Sequence, residues 1–361
     1  MGVFFVYKGV DELAKRWLIK SYWAAYLAAA LFLLAAVLAG ISAGSVSVGP
    51  MDIAGILGAE LLGLTPPAFI DSMHINIVMN IRLPRVLLAG LVGASLAIAG
   101  AAFQGLLRNP LADPYTLGVS SGASVGAVAI LFLGISLPGL GLYTLPVVSI
   151  LFAFFTIFIV LLFARSIDKS LKVETIILTG IIFSSFMGAL ISLMIALTGE
   201  ELRQIIGWLL GSVSMRGWEY VAIILPFFLI GLMLLLFNRR ELNAMSYGEE
   251  RAHHIGVNVQ RRKLVILLAG SILTGAAVAV SGTIGFVGLV IPHFCRMLWG
   301  PDHLHLLPLS AMTGGGFLIL ADLLARTIIS PAELPIGVIT ALIGAPVFAL
   351  ILVNKQKKKR G

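Results

Sequence analysis

The sequence predicts an all-α protein that crosses a membrane about ten times, and three observations carry that expectation. Of 361 residues, 59% are hydrophobic and 12% charged, with a mean hydropathy of +1.04; a soluble domain carries about 25% charged residues. The apolar residues gather into runs of about twenty, the length an α-helix needs to cross a bilayer. The basic residues gather in alternate gaps between those runs. With ten spans and both termini inside, twenty of the twenty-five Lys and Arg fall on the inner side and five on the outer, the asymmetry that marks a cytoplasmic face. That asymmetry explains the net charge of +8 without any need for nucleic acid. The single cysteine, Cys295, excludes a disulfide framework and any Cys-based metal cluster within the chain.

Residues 1–20 place Val10, Leu13, Ala14, Trp17 and Leu18 on one helical face among Lys15, Arg16 and Lys20, an amphipathic lead-in at the membrane surface. Ser21 to Ile41 is the first span; it is longer than the roughly 7–15-residue core of a cleaved signal peptide, so it is expected to stay. Pro50 to Leu62 has helical spacing but is too short to cross. The second span begins at the arginines of Arg82-Leu83-Pro84-Arg85 and ends near Arg108. The third ends near Leu133, before the turn Pro138-Gly139-Leu140-Gly141. Spans four and five are expected at 145–164 and 176–197, around a polar loop at 165–172. Glu200 to Ser212 reads as a second short amphipathic helix, and span six as 220–237. Residues 238–263 form the longest polar stretch, with six basic residues. Spans seven to ten follow at 264–280, 284–298, 306–325 and 336–353, before a basic tail at 354–361.

Little catalytic chemistry is legible. There is no G-x-x-x-x-G-K-[ST] phosphate loop, so the usual nucleotide cradle is missing, and no nucleophile–base set stands out. His303 and His305 are expected to be a solvated loop pair rather than metal ligands, His293 an interfacial residue; His253 and His254 carry no assigned role. Asp322 alone among the acids falls inside an apolar run, four residues before Arg326, where an i,i+4 pair can form. A charge in the bilayer is costly and usually functional. The absence of a relay of buried acids and histidines argues against an ion-coupled secondary transporter, and no filter-like stretch argues for a channel.

The most informative stretch is Arg82 to Gly126. Gly93, Ala97 and Ala101 recur every four residues, as do Gly118, Gly122 and Gly126, a spacing that lets membrane helices approach closely. The composite Arg82-Leu83-Pro84-Arg85, then Gln104, Asn109-Pro110-Leu111-Ala112-Asp113-Pro114 and Leu117-Gly118-Val119-Ser120-Ser121-Gly122 closely resembles the opening motif of the FecCD-type permeases of ABC importers for iron chelates, haem and cobalamin. Ser281 to His293, Ala321 to Arg326 and Glu333 to Val338 extend the resemblance, which covers about Pro50 to Val353.

The resemblance implies a single permease domain of type II ABC importer architecture with an inverted repeat. A faint likeness between residues 97–103 and 279–285 accords with that repeat. It further implies two copies of this chain around a pathway, two copies of a separate ATPase holding ATP and Mg, and an extracytoplasmic binding protein; no cofactor is expected on this chain. The matching arginines, Arg82, Arg85 and Arg326, would dock glutamates of the binding protein. Gly248, Glu249, Ala252 and Gly256 would lie in the helix that couples to the ATPase, with Gly256 as a C-cap. Asn109, Pro110 and Leu111 would narrow the pathway inside, with Val173 and Glu174 at a second constriction where relatives carry small hydroxyl residues. The cargo class would be a metal chelate, with a small oxyanion as the alternative.

Overall fold

Asp71 starts the element around which the rest is arranged: its carboxylate accepts the Met73 N–H and opens a continuous helix over Ser72–Leu106. In the computed structural model, which describes residues 22–44, 46, 48–65, 67 and 70–360, this helix begins ten residues before the expected start at Arg82. The reason is local. Pro84 has no N–H to give to the carbonyl four residues back, and the chain absorbs the missing bond in a wide π stretch at Ile77–Arg82, where Leu83 N–H reaches Val78, five residues back. A π turn lets a helix pass such a point without breaking.

We number the helices α1 (Tyr22–Ser42), α2 (Pro50–Leu62), α3 (Ser72–Leu106), α4 (Val119–Leu133), α5 (Thr144–Ile167), α6 (Val173–Leu197) and α7 (Leu202–Leu209). The remainder are α8 (Trp218–Phe237), α9 (Arg239–Ser246), α10 (Glu249–His254), α11 (Val259–Ser281), α12 (Val287–Trp299), α13 (His303–Thr327) and α14 (Ile336–Arg360). Seven are long and apolar enough to cross a membrane, and α4, α12 and the apolar part of α14, Ile336–Ile351, are shorter apolar segments, which together make the ten expected. The described residues contain no strand. The amphipathic lead-in expected at 1–20 lies outside the described residues.

Helices α3 and α11 form the centre: 83% and 78% of their apolar windows are buried, against 22% for α6 and α8. Close approach depends on the small residues. A Cβ on Gly93 would overlap the carbonyl oxygen of Gly314 on α13, and one on Gly100 would overlap that of Gly288 on α12. In the second ladder, Gly122 and Gly126 meet α5 at Thr156 and Phe152, while Gly118 lies nearest Gly180 and Ser184 of α6. The helices thus alternate between two ends. One, the basic end, carries Arg108, the 168–172 loop, α9 and α10. The other carries Arg82, Arg85, Arg326 and the 328–335 loop.

Two expectations are corrected. His303 is not in a solvated loop: it starts α13 and is 1% exposed. His293 is likewise buried, within α12 rather than at an interface. His305 stacks on Tyr22 and meets the Tyr26 hydroxyl at 3.2 Å, fastening α1 to α13. No cluster able to hold a metal occurs among the described residues.

Candidate functional site

At the end opposite the basic one, the three arginines converge, and all turn inward. Arg82 donates to the carbonyls of Ile41 and Ser42 at 2.8 and 2.9 Å and to that of Val46, closing the C-terminus of α1, whose last carbonyls have no helical partner. Arg85 lies between two carboxylates. Its Nε and Nη2 reach Asp322 at 2.9–3.1 Å, and its Nη1 and Nη2 reach Glu333 at 2.9 and 3.0 Å. Bidentate pairing of this kind is the strong form of the interaction. Arg326 donates to the Gly40 carbonyl, and its Nε stands 3.8 Å from Asp322, the expected i,i+4 contact in a looser form.

Asp322 is 1% exposed, whereas the Glu333 side chain is 38% exposed. The hydrogen bonds from Arg85 hold the Glu333 carboxyl below its usual range, against the opposing effect of burial. The structure therefore brings the three expected docking residues together, yet every guanidinium already has an internal partner. Asp322 was legible as the single acid of an apolar run; Glu333 was not, because it lies in a polar loop that carries no periodic signal.

At the basic end a cavity of about 730 Å³ opens between the 168–172 loop, the start of α6 and α10. Arg108, Lys172, Val173, Glu174, Gly248 and Glu249 are among its lining residues. It unites one expected constriction with two of the four expected coupling residues. Gly248 and Gly256 both have positive φ, +122° and +88°, conformations that favour glycine, and Gly256 follows α10 as a cap should: its N–H bonds His253. Ala252 is fully buried and holds α10 to the body.

The other expected constriction stands apart. Asn109 accepts the Leu111 N–H in a tight turn, and Asn109 and Leu111 are exposed. Lys263 has no role in the sequence reading, yet it is fully buried. Its ammonium donates to the Leu171 carbonyl at 2.8 Å and pairs with Glu249 at 2.7 Å, tying α10 to the loop that starts α6. In sequence it is one of three consecutive basic residues, Arg261, Arg262 and Lys263, and nothing sets it apart.

Comparison with known proteins gives consistent matches. The model of a family described as the FecCD transport family matches residues 31–354. The ABC transporter permease protein YvrB of Bacillus subtilis (strain 168), itself uncharacterized, is 61% identical over 338 residues, 94% of this chain and 96% of that one. The cobalamin import system permease protein BtuC of Halobacterium salinarum is 44% identical over 283 residues, 78% of this chain and 74% of that one. A solved structure in an inward-facing conformation, ascribed to the metal-chelate type of ABC transporter, matches with a TM-score of 0.79 at 36% identity, covering 91% of this chain and 98% of its own.

Proposed function

Because the chain belongs to the FecCD transport family, we propose that it is the transmembrane subunit of an ATP-driven importer for a metal chelate delivered by an extracytoplasmic binding protein. The observation that carries this reading is the family match, which spans nearly all the described helices. The basic end faces the cytoplasm, and two copies of the chain enclose the pathway. ATP and Mg belong to a separate ATPase, since this chain has no phosphate-loop signature.

The mechanism has two ends. On the cytoplasmic side the ATPase grips α10, and Glu249, through Lys263 and Leu171, carries its movement to Val173 and Glu174. On the outer side three guanidiniums face two carboxylates, so one positive charge is in excess there. An acidic lobe of the binding protein reaches Arg85 by exchanging with Glu333, the more exposed of its two partners. Charges so placed chiefly steer and orient docking.

Reconstituted with its ATPase and binding protein, the chain is expected to take up a ferric chelate or cyanocobalamin only with hydrolysable ATP. Uptake driven by a proton gradient without ATP would overturn the assignment in favour of a secondary transporter.

A further inference from the structure

The loop between α7 and α8, residues 210–217, lies at the end that carries the three arginines, and it is fastened along its length. The Ser212 N–H donates to the Ser281 carbonyl at 2.7 Å, and the Gly211 carbonyl accepts the Ile336 N–H at 3.0 Å. The Ser214 hydroxyl donates to the Glu333 carboxylate, itself a partner of Arg85. Arg216 lies over the Tyr220 ring, 4.4 Å from its centre, and donates to the Tyr220 hydroxyl. Just past the loop, the Trp218 indole N–H donates to the Met79 carbonyl at 2.9 Å. In the π register of that stretch the donor due to this carbonyl is Pro84, which has no N–H. Trp218 fills the gap and ties the loop to the turn that presents Arg82.

The exposed tip of this loop is Met215. It is 99% exposed, and its φ of +56° lies in the left-handed region that residues other than glycine seldom adopt. Single exposed apolar residues are common on protein surfaces and ask for no explanation. Met215 differs in two respects. Its costly backbone conformation is held by neighbours that are themselves bonded, Ser214 on one side and Arg216 on the other, and residues held in this way collect at ligand clamps and binding sites. It also adjoins a charged cluster, because Ser214 leads directly to Glu333 and Arg85. An apolar anchor beside polar and charged contacts is the make-up of a protein–protein interface.

We propose that Met215 is the apolar anchor of the outer docking surface and enters a hydrophobic notch on the extracytoplasmic binding protein, beside the acidic group that reaches Arg85. The inference rests on the docking reading of the arginines and adds to it a contact of different chemistry. Charged groups chiefly steer and orient, whereas a methionine taken out of water supplies affinity. Its unbranched thioether adapts to an irregular notch. Because the loop is already fixed, docking has little backbone to order, and more of that affinity is kept.

The test measures affinity between the permease–ATPase complex in nanodiscs and the binding protein with which it is reconstituted. Met215→Ala is expected to weaken binding about tenfold or more, the scale of a methionine side chain returned to water. Met215→Leu, of similar volume, should restore most of it. The loss in Met215→Ala should persist at high salt, which screens only the charged contacts. Glu333→Gln reads those contacts separately, since freeing Arg85 should tighten docking. Wild-type affinity in Met215→Ala overturns the anchor whatever Glu333→Gln does; unchanged affinity in Glu333→Gln overturns only the exchange at Arg85. No saturable binding by the wild-type complex overturns both. A benzophenone placed on Met215→Cys, in a chain carrying Cys295→Ala, should cross-link to the binding protein. A product joining two copies of this chain, or one formed with lipid alone, would put Met215 in a dimer contact or at the bilayer and sink the proposal.

Discussion

Arg85 shows how one side chain decides the order of a membrane-protein end. Its guanidinium satisfies Asp322, which is 1% exposed, and Glu333, which is partly open to water. Removing it strands a buried carboxylate, and breaking a buried pair from one side costs about 3–5 kcal/mol. Arg85→Met is therefore expected to lower thermal stability sharply in detergent, while Arg85→Met with Asp322→Leu recovers most of the loss; an unrecovered double variant would show that packing, not charge, dominates. Glu333 adds a pH dependence. Its folded pKa is depressed by the bonds from Arg85, so its contribution is present above the unfolded carboxylate pKa of about 4.3 and is lost as pH falls through the folded value. The side chain is more than a third exposed, and solvent screening limits the effect to about 1 kcal/mol or less. Melting curves from pH 7 to pH 3 should flatten slightly at the acid end in Glu333→Gln.

At the scale of elements, packing rests on backbone contacts that only glycine permits. A Cβ on Gly100 would overlap the Gly288 carbonyl, whereas one on Gly188 of α6 meets nothing within 4 Å. Gly100→Ala is expected to force α3 and α12 apart and to lower the melting temperature, and Gly188→Ala to leave it unchanged or raise it, since Ala is about 1 kcal/mol better than Gly in a helix. Equal melting of the two variants would remove the close-packing argument. The small-residue spacing at 93–101 and 118–126 was legible because it is periodic, and so were the number of long apolar helices, their approximate positions and that of α2. Three features were not. The extension of α3 back to Ser72 depends on Asp71 capping and a π stretch that repairs the Pro84 defect, a cancellation with no sequence period. Burial of Lys263 and His303 depends on partners far along the chain, Leu171 and Asn243. The inward turn of the outer arginines depends on loop residues, above all Glu333, whose partners a linear pattern does not specify.

For the whole molecule, orientation is decisive, because every proposed role assigns one end to each side of the membrane. The charge asymmetry is the ground for proposing that the basic end faces the cytoplasm, and the chain offers a direct check. Its one cysteine, Cys295, is fully buried, so it gives little background to a thiol reagent, and Cys295→Ala removes the remainder. Met215 is 99% exposed in the loop between α7 and α8, next to Ser214, which hydrogen-bonds Glu333. Tyr247, 70% exposed, lines the basic-end cavity. In intact cells stripped of any outer barrier, a membrane-impermeant maleimide is expected to label Met215→Cys at once and Tyr247→Cys only after the membrane is opened. The reverse pattern would place α10 outside, where no ATPase could reach it, and the docking and coupling roles would fall together. Labelling of both sites from outside would instead mean that the ten helices do not all span, since an even number of crossings between 22 and 360 is what keeps the two termini, and with them the 168–172 and 239–258 segments, on one side.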